Sequence, residues 1–523
     1  MEKSEEKIIN QLTSEFNLRP EQVTNTVKLI DDGNTIPFIA RYRKEATGSL
    51  SDEILRDFYD RLSYLRNLED KKEEILRLID EQENLTDEIA KSIENAVTLS
   101  ELEDIYRPFR PKRRTRATIA KEKGLAPLAE IILAQNPSDN IESISLDFID
   151  AEKDVESSED AIAGAMDIIA EEISDNPEYR KDIRQKTIDF GLLVSKASTE
   201  DDSVYRLYYD FAEPIKKLAN HRLLAINRGE KEGFLSVKID IDEEKITNYL
   251  FRRLTPKHES PSTKYVKLAA EDSYKRLIAP SISTEIRNML TENAEEASIK
   301  VFNQNLSGLL LQPPIKDKIV MGFDPGYRTG CKVAVVDETG KVLDTNVVYC
   351  TLPNHDKDKA NKILTDMILR NNVNLISIGN GTASKESEIF ISGLLKEIDR
   401  EVFYIMTNEA GASVYSASKL ATEEFPQYDV ALRSAVSIAR RVQDPLAELV
   451  KIDPKSIGVG QYQHDMNQKR LGEALGGVVE NCVNSVGVDL NTASPSLLAY
   501  VAGINKTVSK NIITYREENG KFN

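Results

Sequence analysis

Val320-Met-Gly-Phe-Asp-Pro-Gly-Tyr-Arg-Thr-Gly-Cys-Lys-Val-Ala-Val-Val336 decides the fold: an apolar run ends at Asp324, passes a glycine-rich turn, and resumes as a second apolar run. Short apolar runs bounded by turn signals read as buried strands. The segment therefore predicts strands at about 318–323 and 331–337, and a third over 342–350 follows the turn Asp337-Glu-Thr-Gly340. Beyond it the pattern alternates: helix 356–370, strand 374–379, helix 384–399, strand 402–407, then helices to 450.

Three hairpin-linked strands followed by alternating helices and strands is the order of a ribonuclease-H-like domain. In that fold, two-metal phosphodiester hydrolysis needs several carboxylates converging on divalent ions, the first at the end of the first strand. Asp324 takes that position, and Glu409, just past the fifth strand, is the second acid. The fourth strand offers Asn380 instead. The last helix, from near Val430, puts Arg433 and Ser434 where a third carboxylate belongs, with Asp429 and Asp444 out of register. The metal cluster is expected to be incomplete, so Asp324, Glu409 and Asp444 are vestigial candidates and no catalytic residue is assigned. Each acid also has a purely structural use, Asp324 as a turn cap and Glu409 in the electropositive first turn of the next helix. The glycine turns would also suit an actin-like ATPase, but its second phosphate loop and second domain are missing from the sequence. No cofactor is expected.

A chain of 523 residues is too long for one core and predicts roughly three or four domains. No window approaches the ~18 uncharged apolar residues of a membrane span, and the start lacks the features of a signal or transit peptide. A cytoplasmic protein with no membrane partner is expected. The three cysteines are far apart in sequence and there are only four histidines, which argues against a disulfide framework or zinc site. Net charge is −18, so nucleic acid can be held only by local basic patches.

One such patch is Arg107-Pro-Phe-Arg-Pro-Lys-Arg-Arg-Thr-Arg-Ala-Thr-Ile-Ala-Lys-Glu-Lys123. Its prolines forbid a continuous helix, which leaves Arg110, Lys112, Arg113, Arg114 and Arg116 on an extended segment able to follow phosphates. Alternatively it is a solvated loop whose arginines pair with acidic helices such as 101–104. Around it, residues 1–195 read as helical. Phe58, Leu62, Leu65, Ile75 and Ile79 recur at helical spacing after a cap at Ser51, Gly33 ends an earlier helix, and Ser100 with Glu103 has capping-box spacing ahead of a helix from Leu102. Residues 196–316 read as a mixed scaffold. Strand character appears at Val204-Tyr-Arg-Leu-Tyr-Tyr209 and Phe234-Leu-Ser-Val-Lys-Ile-Asp-Ile241, and helix returns from about 260 to 311. The cluster from His221 to Gly233 is assigned no chemistry.

After the 317–450 domain, residues 451–523 contain a helix, hairpin, helix pattern from Ser494 to Arg516. A helix-hairpin-helix aims backbone N–H groups at a phosphate from the hairpin and the start of its second helix. Gly503, Asn505, Lys506, Thr507 and Lys510 would fill those roles.

Several segments, taken together, resemble the bacterial Tex family of transcription accessory proteins. They are Ile36-Pro-Phe-Ile-Ala-Arg-Tyr-Arg-Lys-Glu-Ala-Thr-Gly48, Pro111-Lys-Arg-Arg-Thr-Arg-Ala-Thr-Ile-Ala120, Arg228-Gly-Glu-Lys-Glu-Gly233, Gly322-Phe-Asp-Pro-Gly-Tyr-Arg-Thr-Gly-Cys-Lys332, Gly379-Asn-Gly-Thr-Ala-Ser384 and the stretch from Gln443 to Asp465. The resemblance implies an N-terminal helical domain of helix-turn-helix character over 1–195, a YqgF-like ribonuclease-H-type domain and helix-hairpin-helix repeats. It also implies a C-terminal oligonucleotide-binding barrel as the main single-strand reader, and the chain ends before one, which reads as truncation.

The expectation is a multidomain, mainly α protein with one α/β domain. It would act as a monomeric, non-enzymatic scaffold binding RNA or single-stranded DNA, with RNA polymerase or the ribosome as further partners. The alternative is a metal-dependent nuclease or resolvase using Asp324 and Glu409. A third, interaction-only protein would dock through its acidic helical surfaces.

Overall fold

The computed structural model describes residues 2–523 apart from 112, 257–259, 489, 491–492, 502, 520–521 and 523. They form two compact units, each interrupted in sequence: Met1–Val23 with Asp57–Glu296, and Thr24–Arg56 with Ala297–Asn523.

The first unit is helical around one small sheet. Phe58, Leu62, Leu65, Ile75 and Ile79 all lie on the buried face of the helix Asp52–Asp80, as their spacing predicts. Ser51 Oγ accepts the Ile54 N–H at 3.3 Å and so starts that helix. The next predicted start is displaced. The helix Leu99–Tyr106 begins three residues early because Thr98, not Ser100, accepts the Glu101 N–H, while Glu101 Oε2 accepts from Val97 N at 3.1 Å. The π-helical stretch Ser273–Ile278 runs into the helix Ala279–Leu310, just ahead of Pro280, whose missing N–H cannot continue an α-helical ladder.

The sheet consists of β1 (Leu192–Ala197), β2 (Asp210–Pro214) and β3 (Leu235–Asp240), in the order β2-β1-β3 and antiparallel throughout. The predicted strand at 204–209 is instead a turn, with a 3₁₀ segment over Arg206–Tyr208. Tyr205 is buried and donates to Glu232 at 2.8 Å, and Ser195 Oγ donates to the Tyr208 carbonyl. Together these bonds hold the chain out of the sheet until Asp210.

The second unit carries the predicted α/β order. Strands β4 (Val320–Asp324), β5 (Cys331–Val336), β6 (Val342–Val348), β7 (Leu375–Gly379) and β8 (Phe403–Thr407) form a sheet ordered β6-β5-β4-β7-β8. The first three are antiparallel hairpins, with Asp324 opposite Lys332; β7 and β8 continue in parallel with β4. Side chains alternate between faces. Met321, Phe323, Val333, Ile376 and Ile378 pack with residues of the helices Lys357–Arg370 and Ser384–Leu395. On the other face, Val320, Ala334, Val336 and Leu375 meet Ala435, Val436 and Ala439 of the helix Val430–Gln443. That helix lies unusually close at one point: a Cβ on Gly322 would sit 2.0 Å from the Ala435 carbonyl oxygen. Only glycine fits there.

The N-terminal segment of this unit packs on the helix Gln468–Val486. Arg56 donates to the Gly477 carbonyl at 3.3 Å, and Thr35 hydrogen-bonds Glu480. Ile39 is fully buried and Val27 nearly so.

Candidate functional site

The C-terminal ends of β4, β7 and β8 place Asp324, Asn380 and Glu409 at one mouth of the second unit's sheet. The Glu409 carboxylate lies over the glycines that follow β7, so a Cβ on Gly381 would come within 1.6 Å of its Oε1. Asn380 anchors the arrangement: its N–H bonds the Thr407 carbonyl at 3.0 Å and its Oδ1 accepts from Glu409 N at 3.2 Å. Burial pushes the Asp324 carboxyl above its ordinary range, opposed by a hydrogen bond with Ser434 and by Lys332. Burial also raises Glu409, and the charge of Asp324 adds to it, against the Gly381 N–H and Arg441. The two acids therefore lie near enough for the charge of Asp324 to act on Glu409.

The other predicted members do not join them. Asp429 caps the helix Val430–Gln443 by accepting from Leu432 N at 2.8 Å, and Asp444 caps Pro445–Leu449 by accepting from Ala447 N at 2.9 Å. Arg433 is buried on Phe425 O and Thr422 Oγ1. Ser434 occupies the position facing Asp324. Among the described residues, no group of three or more His, Cys, Asp or Glu side chains could hold a metal ion. The residues at this mouth do not fit a two-metal centre, which needs a further carboxylate.

Sequence reasoning missed Arg441. It is buried, and its Nη1 donates to the Asn408 and Ala410 carbonyls at 2.6 and 2.9 Å, fixing the backbone on both sides of Glu409. The available signal was an arginine on the apolar stripe of an amphipathic helix.

Linkage between folding and protonation gives a test of this mouth. A carboxyl whose pKa rises on folding holds its proton more tightly when folded, so stability falls as pH climbs from the ordinary carboxylate range through the raised value. Asp324→Asn with Glu409→Gln removes that loss. The double variant is expected to melt higher than the parent at neutral pH. Below the ordinary carboxylate range the gain should vanish in differential scanning calorimetry. A lower melting temperature at neutral pH would mean the acids stabilise the mouth.

The basic segment lies in the first unit. It forms a 3₁₀ turn at Arg107–Phe109 and continues as the helix Arg116–Glu122, and between them Arg110 and Thr115 have extended backbone. Arg107 pairs with Asp175 at 3.2 Å, Arg110 with Glu103 at 2.9 Å, and Arg114 with Glu122 at 3.0 Å. Arg110 pairs with an acid of the 101–104 helix, and the side chains of Arg110 and Arg114 stay more than half exposed. Arg110, Arg113, Arg114 and Arg116 are exposed, while Lys112 lies outside the described residues. A cleft of about 550 Å³ beside them is lined by Arg110, Thr118 and Lys121 but also by Glu171, Glu172 and Asp175. That mixed lining makes the cleft itself a poor phosphate pocket.

The hairpin at the end of the second unit joins the short helix Pro495–Leu498 to the helix Lys506–Asn519. Gly503 has φ +89°, a conformation that strains any L side chain. Asn505 Oδ1 accepts from Val508 N at 2.9 Å, so this residue caps the second helix with its own side chain. Ser509 Oγ donates to the Pro495 carbonyl at 2.8 Å and ties the two helices together. Gly503, Lys506, Thr507 and Lys510 remain exposed at the helix start. Helix geometry leaves the first N–H groups there without intrahelical partners.

Family models match four stretches of the chain: a Tex-like protein N-terminal domain over 6–80, a Tex central region-like segment over 136–302, a Tex protein YqgF-like domain over 318–443, and a helix-hairpin-helix motif over 483–523. Among relatives, protein YdcI of Bacillus subtilis strain 168 is 51% identical across 98% of this chain and 72% of its own length. Protein tex of Bordetella pertussis is 45% identical across 99% of the chain and 67% of its length. The transcriptional accessory protein Tex of Neisseria gonorrhoeae is 44% identical across 98% and 68%.

Proposed function

Because the chain belongs to the Tex family, we propose that it is a nucleic-acid-binding transcription accessory scaffold that grips the backbone of RNA or single-stranded DNA and performs no chemistry on it. The observation that carries this reading is the hairpin at Gly503: an exposed helix start, capped by Asn505, with Lys506, Thr507 and Lys510 beside it. Backbone N–H groups and cations so placed bind phosphates without reading bases. The exposed arginines from Arg110 to Arg116 supply a second backbone contact. Binding is then expected to be salt-sensitive and nearly indifferent to sequence.

The nuclease alternative has one observation in its favour, the neighbouring pair Asp324 and Glu409. Against it stand Ser434 and Arg433, which occupy the places a third acid would need. Incubation of the purified protein with Mg²⁺ or Mn²⁺ and labelled RNA or single-stranded DNA is expected to give no more product than the protein-free control. Cleavage that disappears with Asp324→Asn would overturn the scaffold reading. The same reading includes a cytoplasmic monomer that contacts RNA polymerase or the ribosome. Co-purification with either that survives nuclease treatment would support a direct protein contact.

A further inference from the structure

Two of the three cysteines, distant in the sequence, meet in the sheet. Cys331 opens β5 opposite Val348, and Cys350 follows two residues after that partner, so the hairpin register brings the sulfurs to 3.8 Å. Both side chains are at most 1% exposed. Cys482 contacts Ser307 Oγ and is near neither of them.

The pair also has work in its reduced form. The Cys331 thiol donates to the Gly326 carbonyl at 3.5 Å, and Thr351, next to Cys350, donates to the same oxygen at 2.8 Å. Gly326 is in the turn that leaves Asp324. The thiol proton therefore makes one of two hydrogen bonds that hold the Gly326 carbonyl in the turn beside the carboxylate mouth.

We propose that Cys331 and Cys350 are a modification site, closing to a reversible disulfide when a hydroperoxide reaches them and releasing one of those two hydrogen bonds in the 325–330 turn. The Cys331 thiolate attacks one peroxide oxygen and breaks the O–O bond, giving a sulfenic acid and, after protonation, water. The Cys350 sulfur then attacks the sulfenic sulfur and expels the second water. Two thiols and one hydrogen peroxide become one disulfide and two waters. Cys331 is suited to the first step. Its hydrogen bond with Cys350 holds its pKa below the ordinary thiol value against burial, whereas that of Cys350 is pushed up. Oxidation consumes the S–H that bonds Gly326, leaving that carbonyl to Thr351 alone.

The test uses the whole protein, treated with excess hydrogen peroxide, then denatured and alkylated. The expected result is one alkylatable thiol instead of three, a mass lower by two hydrogens, and a tryptic species joining Thr329–Lys332 to Val342–Lys357. Dithiothreitol should restore all three thiols. In the oxidised protein, amide hydrogens of the 325–330 turn are expected to exchange faster. In Cys350→Ser, dimedone should trap the Cys331 sulfenic acid. Three thiols after peroxide, oxygen added without a joined peptide, or a bridge to Cys482 would overturn the proposal. Unchanged exchange in the turn would overturn the role given to that hydrogen bond.

Discussion

Replacing Asp104 with alanine is expected to lower the unfolding free energy of the first unit by about 3–5 kcal/mol, the cost of removing one partner from a buried ion network. Asp104 is 5% exposed and sits between two arginines. Its Oδ1 accepts from Arg180 Nε at 2.6 Å, and its Oδ2 accepts from Arg184 Nη2. Arg180, itself 2% exposed, also donates to Ser281 at 3.1 Å, and Arg184 pairs with Glu285 at 2.6 Å. The network thus ties the helix Leu99–Tyr106 to Pro177–Phe190 and to the start of the helix Ala279–Leu310. Alanine at 104 leaves two guanidinium groups desolvated with one acid between them. Urea unfolding would show the loss. A change under about 1 kcal/mol would mean that water enters the gap and that the pair behaves as an exposed one. Asp104→Asn keeps the shape and an acceptor, so its loss should be smaller.

The second large effect is on binding. Changing Arg110, Arg113, Arg114 and Arg116 together to glutamate is expected to weaken single-stranded RNA binding about a hundredfold at low salt. It should also flatten the plot of log affinity against log salt by about 3, from ~0.7 per phosphate contact on a single strand. The acids paired with Arg110 and Arg114 do not prevent this. Those pairs are exposed, with the Arg114 side chain 70% accessible, and exposed ion pairs hold by about 0–1 kcal/mol. A phosphate can displace such a partner. An unchanged slope in fluorescence anisotropy would remove the segment from the interface and leave the Gly503 hairpin as the remaining contact.

The ribonuclease-H-like sheet was legible in the sequence because its central strands β4, β5 and β7 are buried on both faces. Continuous apolar runs such as Val333-Ala-Val-Val336 have few other readings once glycine turns bound them. The 204–209 segment has equal strand propensity but failed as a strand. Burial of Tyr205 and the bonds to Glu232 and Ser195 outweigh that preference, and they come from residues not adjacent in the chain. Thr98 and Ser100 are both competent caps, so local sequence could not choose between them. At the carboxylate mouth, strand order was enough to put Asp324 and Glu409 at the same end of the sheet. Arg441 escaped because an arginine on a buried helix face gains meaning only from the two carbonyls it reaches. The meeting of Cys331 and Cys350 depends on hairpin register, which apolar periodicity does not specify to the residue.

The sequence-interrupted second unit has a consequence for how the protein is made. Thr24–Arg56 leaves the ribosome early, yet the residues it packs on, including Gly477 and Glu480, belong to the last part of the chain. Residues 57–476 are synthesised in between, which at about 5–20 residues per second takes roughly 20–80 s. Throughout that interval the helix Ile36–Tyr42, which carries the fully buried Ile39, lacks the helix Gln468–Val486 that it meets in the finished protein. The nascent chain is then at its most aggregation-prone, and the segment is where a chaperone would engage it during translation.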